Sequence, residues 1–400
     1  MKNTTTKFRA FAATTIVASL WLSACGSDDN SSATDDNTAS TVAGDGGDST
    51  DTAVEETAES SGSECFTVAS ERAEAGKSEV PVKLPPEPLD LAAIEGASLW
   101  LIQVVDNPLI NAVADGYTAG AEEAGMTVTV YDAQGAVDRM NEGVAQAVAQ
   151  GADVIALLAV PEALVAQELA IAVDAGVKII DNFNGLPDDP LSEGFFAHVT
   201  FNSVESGARI VDWILADSEC DANLGLFYSA NNPAALGLRE GAQSELTDLC
   251  PDCGYEEVDF DLAKNATDLG PAVQSLLTAH PETNYVFIFN DSSVTFVDAA
   301  LAQTGRDGVK IVSHDGVAEN LDAMRAETTA QALTVAFPPS AWIGWAMADA
   351  SARAIAGQEM PDWTIPTRLV DSTNIGASND ELWAEFEGFE QSFVDIWTGT

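Results

Sequence analysis

Positive charge is what this chain has least of. Its 400 residues hold 16 Lys and Arg against 64 Asp and Glu, a formal net charge of −48. Nucleic-acid binding relies on clustered basic side chains that displace phosphate counterions, so that class of partner is excluded. Histidine is scarce too, at three residues, where a zinc site around the Cys250/Cys253 pair would want a second such pair or added His. No glycine-rich phosphate loop follows a strand, since GAVDRMNEG lacks the spacing. No carboxylate run has calcium-loop spacing. Neither a metal nor a cofactor is expected, and the acidity reads as a solvated surface.

Hydrophobic runs long enough for a membrane span are also missing. AFAATTIVASLWL, preceded by Lys2, Lys7 and Arg9, is too short to stay in a bilayer as a helix. A basic start and a short apolar stretch read as an export signal over residues 1–24. The ending Leu22-Ser23-Ala24-Cys25 resembles the bacterial lipobox, in which the Cys is lipidated and holds the protein to a membrane without spanning it. Residues 26–64 hold 11 Asp or Glu and no Lys or Arg. With almost nothing large to bury, 25–64 is expected to be the lipidated Cys and a disordered acidic tether. An irregular lead-in would fill 65–96. Cys65, Cys220, Cys250 and Cys253 remain, and in an exported chain they suggest disulfides whose pairing spacing alone does not fix. Cys220 and the Cys250/Cys253 pair precede strands on one edge of one lobe, which would let them pair with each other.

Regularity begins at residue 97. Strand-like apolar runs fall at 98–105, 127–131, 154–158, 177–181 and 195–199, then at 224–228, 255–260, 285–289 and 309–313. Ala-rich stretches such as VDRMNEGVAQAVAQG lie between them, with apolar residues recurring at three and four. Near-continuous apolar strands joined by helices mean parallel sheets covered on both faces. Nine or ten strands exceed one such sheet, so the fold class is α/β with two Rossmann-like lobes, crossing near Ser203.

The strands end alike. The first stops at Asp106 and Asn107, the fourth at Asp181, Asn182 and Asn184, and the sixth at Asn231 and Asn232. The eighth stops at Asn290 and Asp291, the ninth at His314 and Asp315. Ligands of open α/β sheets bind beyond the carboxyl ends of the strands. Any one of these residues could simply cap a helix, but five strands from two lobes delivering Asn or Asp to one edge point to a polar ligand between the lobes. Amides and carboxylates suit hydroxyls, whereas an anion would want the Arg or Lys that the tips lack.

These tips, in this order, resemble the type I periplasmic solute-binding proteins of ABC importers, in the ribose- and galactose-binding-like branch. The resemblance rests on DNPLINAVADGYTAGAEEAG, AQGADVIALLAVPEAL, AGVKIIDNFN, LREGAQSEL, FNDSSVTFVDAAL and VSHDGVAENLDAMR. It implies two lobes joined by three crossovers, one of 97–201 plus 338–360 and one of 202–337 plus 361–375. Asn107, Asp181, Asn290 and Asp315 match the family's ligand contacts. Asn182 stands where an Arg often follows the Asp, and Leu109-Ile110 where an aromatic pair stacks on a sugar ring. Leu238 and Phe337 replace an Arg and a Gln-like residue. The expected ligand set is Asn107, Asp181, Asn182, Asn231, Asn290, Asp315 and Phe337. A sugar or a larger, less polar solute would both suit it.

The implied protein is a monomer outside the cytoplasmic membrane, partnered by a small solute and an ABC permease. A receptor of the same fold signalling to a membrane kinase or chemoreceptor is the alternative. An enzyme would need a nucleophile, base and orienting group in reach. His314-Asp315 is the one tempting pair, and neighbours on a strand point to opposite faces. Beyond the family's usual end, residues 376–400 place Trp383, Phe386, Phe389, Phe393 and Trp397 at helical spacing. That tail reads as an amphipathic helix that packs on a lobe or docks on a partner.

Overall fold

The computed structural model describes residues 52–400. The export signal, Cys25 and the acidic stretch to residue 51 lie outside the described residues. The described chain opens with α1 (Thr52–Gly76) and α2 (Leu91–Ile94). β1 (Ser98–Gln103), β2 (Thr127–Asp132), β3 (Val154–Leu158), β4 (Lys178–Asn182) and β5 (Phe195–Val199) form a parallel sheet in the order β2-β1-β3-β4-β5. The first four strands are linked by α3 (Pro108–Glu123), α4 (Val137–Ala149) and α5 (Glu162–Asp174).

After β5 the chain crosses into α6 (Ser203–Asp217) and a second sheet. Its strands are β6 (Asn223–Tyr228), β7 (Gly254–Asp259), β8 (Tyr285–Ile288), β9 (Lys310–Asp315), β10 (Gln331–Ala336) and β11 (Arg368–Asp371), ordered β11-β10-β9-β8-β6-β7. Only β11 runs antiparallel. α7 (Pro233–Leu249), α8 (Gly270–Ala279), α9 (Val294–Thr304) and α10 (Ala318–Arg325) link its first five strands. α11 (Ser340–Ala356), between β10 and β11, returns to the first lobe and lies on α3. The two helices touch backbone to backbone, since a Cβ on Gly344 would sit 2.2 Å from Tyr117 N. Residues 200–202, 337–339 and 357–367 are the three crossovers. α12 (Asn379–Leu382) and α13 (Phe389–Thr398) close the chain.

Four expectations change. Residues 52–76 are helix rather than tether and irregular lead-in. Cys65, Ala69 and Ala73 are buried at a spacing of four, a stripe of small side chains that lies against α6 and carries almost no hydrophobic signal in sequence. The disulfides are Cys65–Cys220 and Cys250–Cys253, so Cys220 joins the lead-in rather than its own lobe's CxxC pair. β10 is an extra strand, obscured in QALTVA because Gln331 and Thr334 are buried polar residues. The tail is not one helix: a 3-10 turn and Gly388, at φ 73°, separate α12 from α13. Even so the tail packs on its own chain. Trp345 stacks on Trp397 with ring centroids 5.3 Å apart, and Trp363 stacks on Phe393 at 5.7 Å. No helix among the described residues is long and apolar enough to cross a membrane.

One buried carboxylate holds the ends together. Asp349 on α11 accepts from Arg353 Nε at 2.8 Å, Trp397 Nε1 at 2.8 Å and Trp363 Nε1 at 3.2 Å. Arg353 in turn donates to the Glu87 carbonyl in the lead-in. Both Asp349 and Arg353 are wholly buried. Removing one member of such a pair leaves the other charge buried alone. Asp349→Ala is expected to destabilise the protein by about 3–5 kcal/mol, read from urea unfolding, and to increase the solvent quenching of Trp397 fluorescence. A loss below about 1 kcal/mol would show that the network is dispensable.

Candidate functional site

The strand ends of both lobes close on a cavity of about 90 Å³. Two of its walls are built by the same device. Asn107-Pro108 and Asn232-Pro233 each begin a helix, with Asn as the N-cap and Pro in the first turn. Asn107 Oδ1 accepts from Ile110 N and Asn232 Oδ1 from Ala235 N, both at 2.9 Å. Each cap occupies the amide oxygen and leaves the NH₂ as a donor at the cavity, without a partner among the described residues.

Asn290 and Asp291 divide their labour. Asp291 is buried and turned inward. Its carboxylate accepts from Val317 N at 2.8 Å, Gln331 Nε2 at 2.9 Å, Thr334 Oγ1 at 3.1 Å and Ser313 Oγ. It thereby ties the end of β8 to β9, β10 and the start of α10. Asn290 lines the cavity, where its Oδ1 is shielded from solvent and has no partner among the described residues. His314 Nε2 is in the same condition. Orphaned buried polar atoms are rare in folded proteins and call for an explanation such as a missing ligand.

Aromatic rings from both lobes and two crossovers fill the rest. Phe183 stacks on Phe337 at 5.1 Å, and Phe201 stacks on His314 at 4.7 Å. Phe337 meets both Phe201 and His314 edge-on. Leu109, Leu238 and Phe289 add apolar surface, and no Lys or Arg among the described residues lines the cavity. Ala159, Phe183 and Asp315 hold φ values of 56°, 61° and 121° there. Backbone outliers of this kind gather at functional sites, where the surrounding structure holds them in place.

Of the residues expected from sequence, Asn107, Asn290, Asp315 and Phe337 meet here. Asp181, Asn182 and Asn231 do not line this cavity. The Asp181 carboxylate is taken by Asn184 Nδ2 at 2.7 Å and His198 Nδ1 at 3.0 Å, beside a neighbouring cavity of about 360 Å³ that shares only Asn184 with the first. Asn182 Nδ2 donates to the Val199 carbonyl between strands. Asn231 is exposed, and its neighbour Asn232 takes the cap and the cavity. His314 and Asp315 are also closer than strand alternation predicts, at 3.3 Å, because the φ of Asp315 leaves the strand path. Phe183, Phe201 and Phe289 were missed as site residues, since in sequence they read as ordinary strand-end core.

Burial governs the electrostatics. It drives the His314 imidazole down to about 3, so the ring is neutral. It pushes the Asp315 carboxyl well above the usual range, with the Asp291 backbone N–H opposing the shift. Asp291 rises to about 7, first through burial and then through the charge of Asp315. Burial thus disfavours charge on both His314 and Asp315 at the cavity.

A family model described as a periplasmic binding protein domain matches residues 99–359. The chain belongs to the periplasmic binding protein family. Its two lobes have the type I periplasmic binding protein fold. It is 24% identical to the ribose import binding protein of Salmonella typhimurium over 227 residues, 56% of this chain and 74% of that protein. The 5-methylthioribose transporter solute binding protein of Thermotoga lettingae, solved with 5-methylthioribose, superposes with a TM-score of 0.66 at 17% identity. The match covers 78% of this chain and 99% of that one. A sugar ABC transporter protein from Yersinia enterocolitica gives 0.67 at 18% identity, over 79% and 98% of the two chains.

The raised Asp291 group has a consequence for stability. Its charged form is costlier in the folded than in the unfolded protein, so its contribution is fullest below its ordinary value near 3.8 and is lost as pH rises through about 7. Tm is expected to fall as pH climbs from 5 to 8. Asp291→Asn should flatten that slope, as scanning calorimetry at several pH values would read; an unchanged slope would remove Asp291 as its source.

Proposed function

We propose that this protein captures a small uncharged solute, a sugar or sugar-like molecule, between its two lobes and delivers it to an ABC importer. The observation that carries the reading is the pair of orphaned atoms at the cavity, Asn290 Oδ1 and His314 Nε2. A hydroxyl is able to donate to one and accept from Asn107 or Asn232 Nδ2. The aromatic walls suit the apolar face of a ring, and the lack of Lys and Arg disfavours an anion. Relatives named for ribose and 5-methylthioribose support the same class of solute. Solute settles on the strand tips of one lobe, the crossovers rotate the other lobe over it, and the closed form is what the permease meets. Lipidation of Cys25 would keep that encounter at the membrane surface.

A thermal-shift screen against sugars, polyols and nucleosides tests the reading, with stabilisation by a polyhydroxylated solute as the expected outcome. Asn290→Leu should weaken the response by roughly 10-fold or more, since one lost buried hydrogen bond is worth about 1–3 kcal/mol. Asp181→Asn should respond as wild type, because its carboxylate serves His198 and Asn184. A normal response from Asn290→Leu would place the site elsewhere, and silence across all polyhydroxylated solutes would sink the proposal.

A further inference from the structure

The interlobe cavity is small. At about 90 Å³ it falls below the range of about 300–1,000 Å³ in ordinary small-molecule sites. A second chamber of about 550 Å³ adjoins it, and the two meet at Leu109 and Phe337, which line both. The first turn of α3 forms one side of this chamber, the start of α10 the other, and the crossover 337–340 its back. Its remaining wall is the tail: Asn379, Asp380, Trp383, Phe386 and Glu387. These residues lie beyond position 359, where the family match ends.

That wall is fixed in place. The Arg368 guanidinium lies 4.4 Å over the Trp383 ring and donates to the Leu382 carbonyl. Arg325 on α10 donates to the Ile375 and Gly376 carbonyls at 3.1 and 3.2 Å. The chamber's chemistry matches the first cavity. Among the described residues no Lys or Arg lines it, and Asn379 Oδ1 is shielded from solvent with no partner. The Glu319, Asp380 and Glu387 carboxylates stand at the exposed rim. Orphaned acceptors therefore lie on both sides of Leu109 and Phe337, each beside apolar or aromatic surface. A sugar ring presents hydroxyl donors at its edge and an apolar face, which is what each chamber asks for. A cation would meet the rim carboxylates in water, where ion pairs are weak.

We infer that the solute is a two-ring, uncharged, polyhydroxylated molecule of the disaccharide class. One end is held by Asn290 and His314, and the other ring lies in the tail-walled chamber with a hydroxyl on Asn379. This deepens the solute-binding reading and rests on it.

Isothermal titration of the full-length protein with single rings (ribose, glucose, myo-inositol) and two-ring probes (maltose, cellobiose, trehalose) tests the inference. At least one two-ring probe should bind 10-fold or more tighter than any single ring. Ala318 lines the chamber at the exposed start of α10, so Ala318→Trp fills it without touching the smaller cavity. That variant should remove the two-ring advantage and leave single-ring binding within twofold, and Asn379→Leu should do the same at unchanged Tm. Single rings binding as tightly as two-ring probes, or an advantage that survives Ala318→Trp, would overturn this inference alone. Binding of neither class would overturn the sugar reading together with it.

Discussion

The Asp349 carboxylate is the constraint on which the outer layers of this protein depend. It lies on the helix that returns to the first lobe, and its partners arrive from three parts of the chain: Arg353 on the same helix, Trp363 on the last crossover and Trp397 on the tail. A bare carboxylate in that setting would carry a large desolvation cost. Burial does push Asp349 up, and the hydrogen bonds and charge of Arg353 oppose the shift. The ion pair is therefore best understood as a specificity device. It is satisfied only when crossover and tail are both in place, and Arg353 extends the requirement to the lead-in through the Glu87 carbonyl. The many aromatic contacts of the tail supply burial, while Asp349 fixes its register.

Asp291 plays the corresponding part in the second lobe. Asn290 and Asp315 reach the cleft only because the ends of β8, β9 and β10 are held level. The inward carboxylate of Asp291, accepting from Ser313, Val317, Gln331 and Thr334, does the levelling. A strand that stops on Asn-Asp thus places one residue at the cavity and one inward for alignment. The first lobe reaches the same end differently. There the Asn-Pro pair caps a helix with its amide oxygen and leaves the amide nitrogen at the cleft. In both cases a residue that looks like a simple cap also makes the site.

The two-lobed fold and much of the site were legible in sequence because both rest on local signals. Apolar runs ending on Asn or Asp mark parallel strands and their tips without any knowledge of packing. What escaped is set by long-range contact. Cys65 pairs with a cysteine 155 residues away, and no local pattern encodes that partner. β10 hid behind Gln331 and Thr334, whose burial makes sense only once Asp291 is seen between the strands. Asp181 carried the family's residue type at the expected strand end, yet His198 and Asn184 draw its carboxylate to another cavity. Residue identity at a strand tip predicts the edge of the sheet; which side of that edge the side chain serves depends on neighbours from other strands.

The chain ends bear on how the lobes move. Beside the three crossovers, the lead-in runs from the second lobe to the first. Cys65–Cys220 and Lys77–Asp371, the latter at 2.9 Å, hold its start. The bonds from Trp342 Nε1 to the Lys83 carbonyl and from Gln358 Nε2 to the Pro88 carbonyl hold its end. The tail runs the same way, from Arg325 and Arg368 to Trp345 and Asp349. The two segments also bind each other, Leu89 N donating to the Trp397 carbonyl at 3.1 Å. Among the described residues five segments of chain rather than three therefore pass between the lobes, and any opening has to carry the outer two along. A hinge so braced narrows the range of lobe angles available without ligand. The less a solute must reorganise the protein, the more of its contact energy remains as affinity.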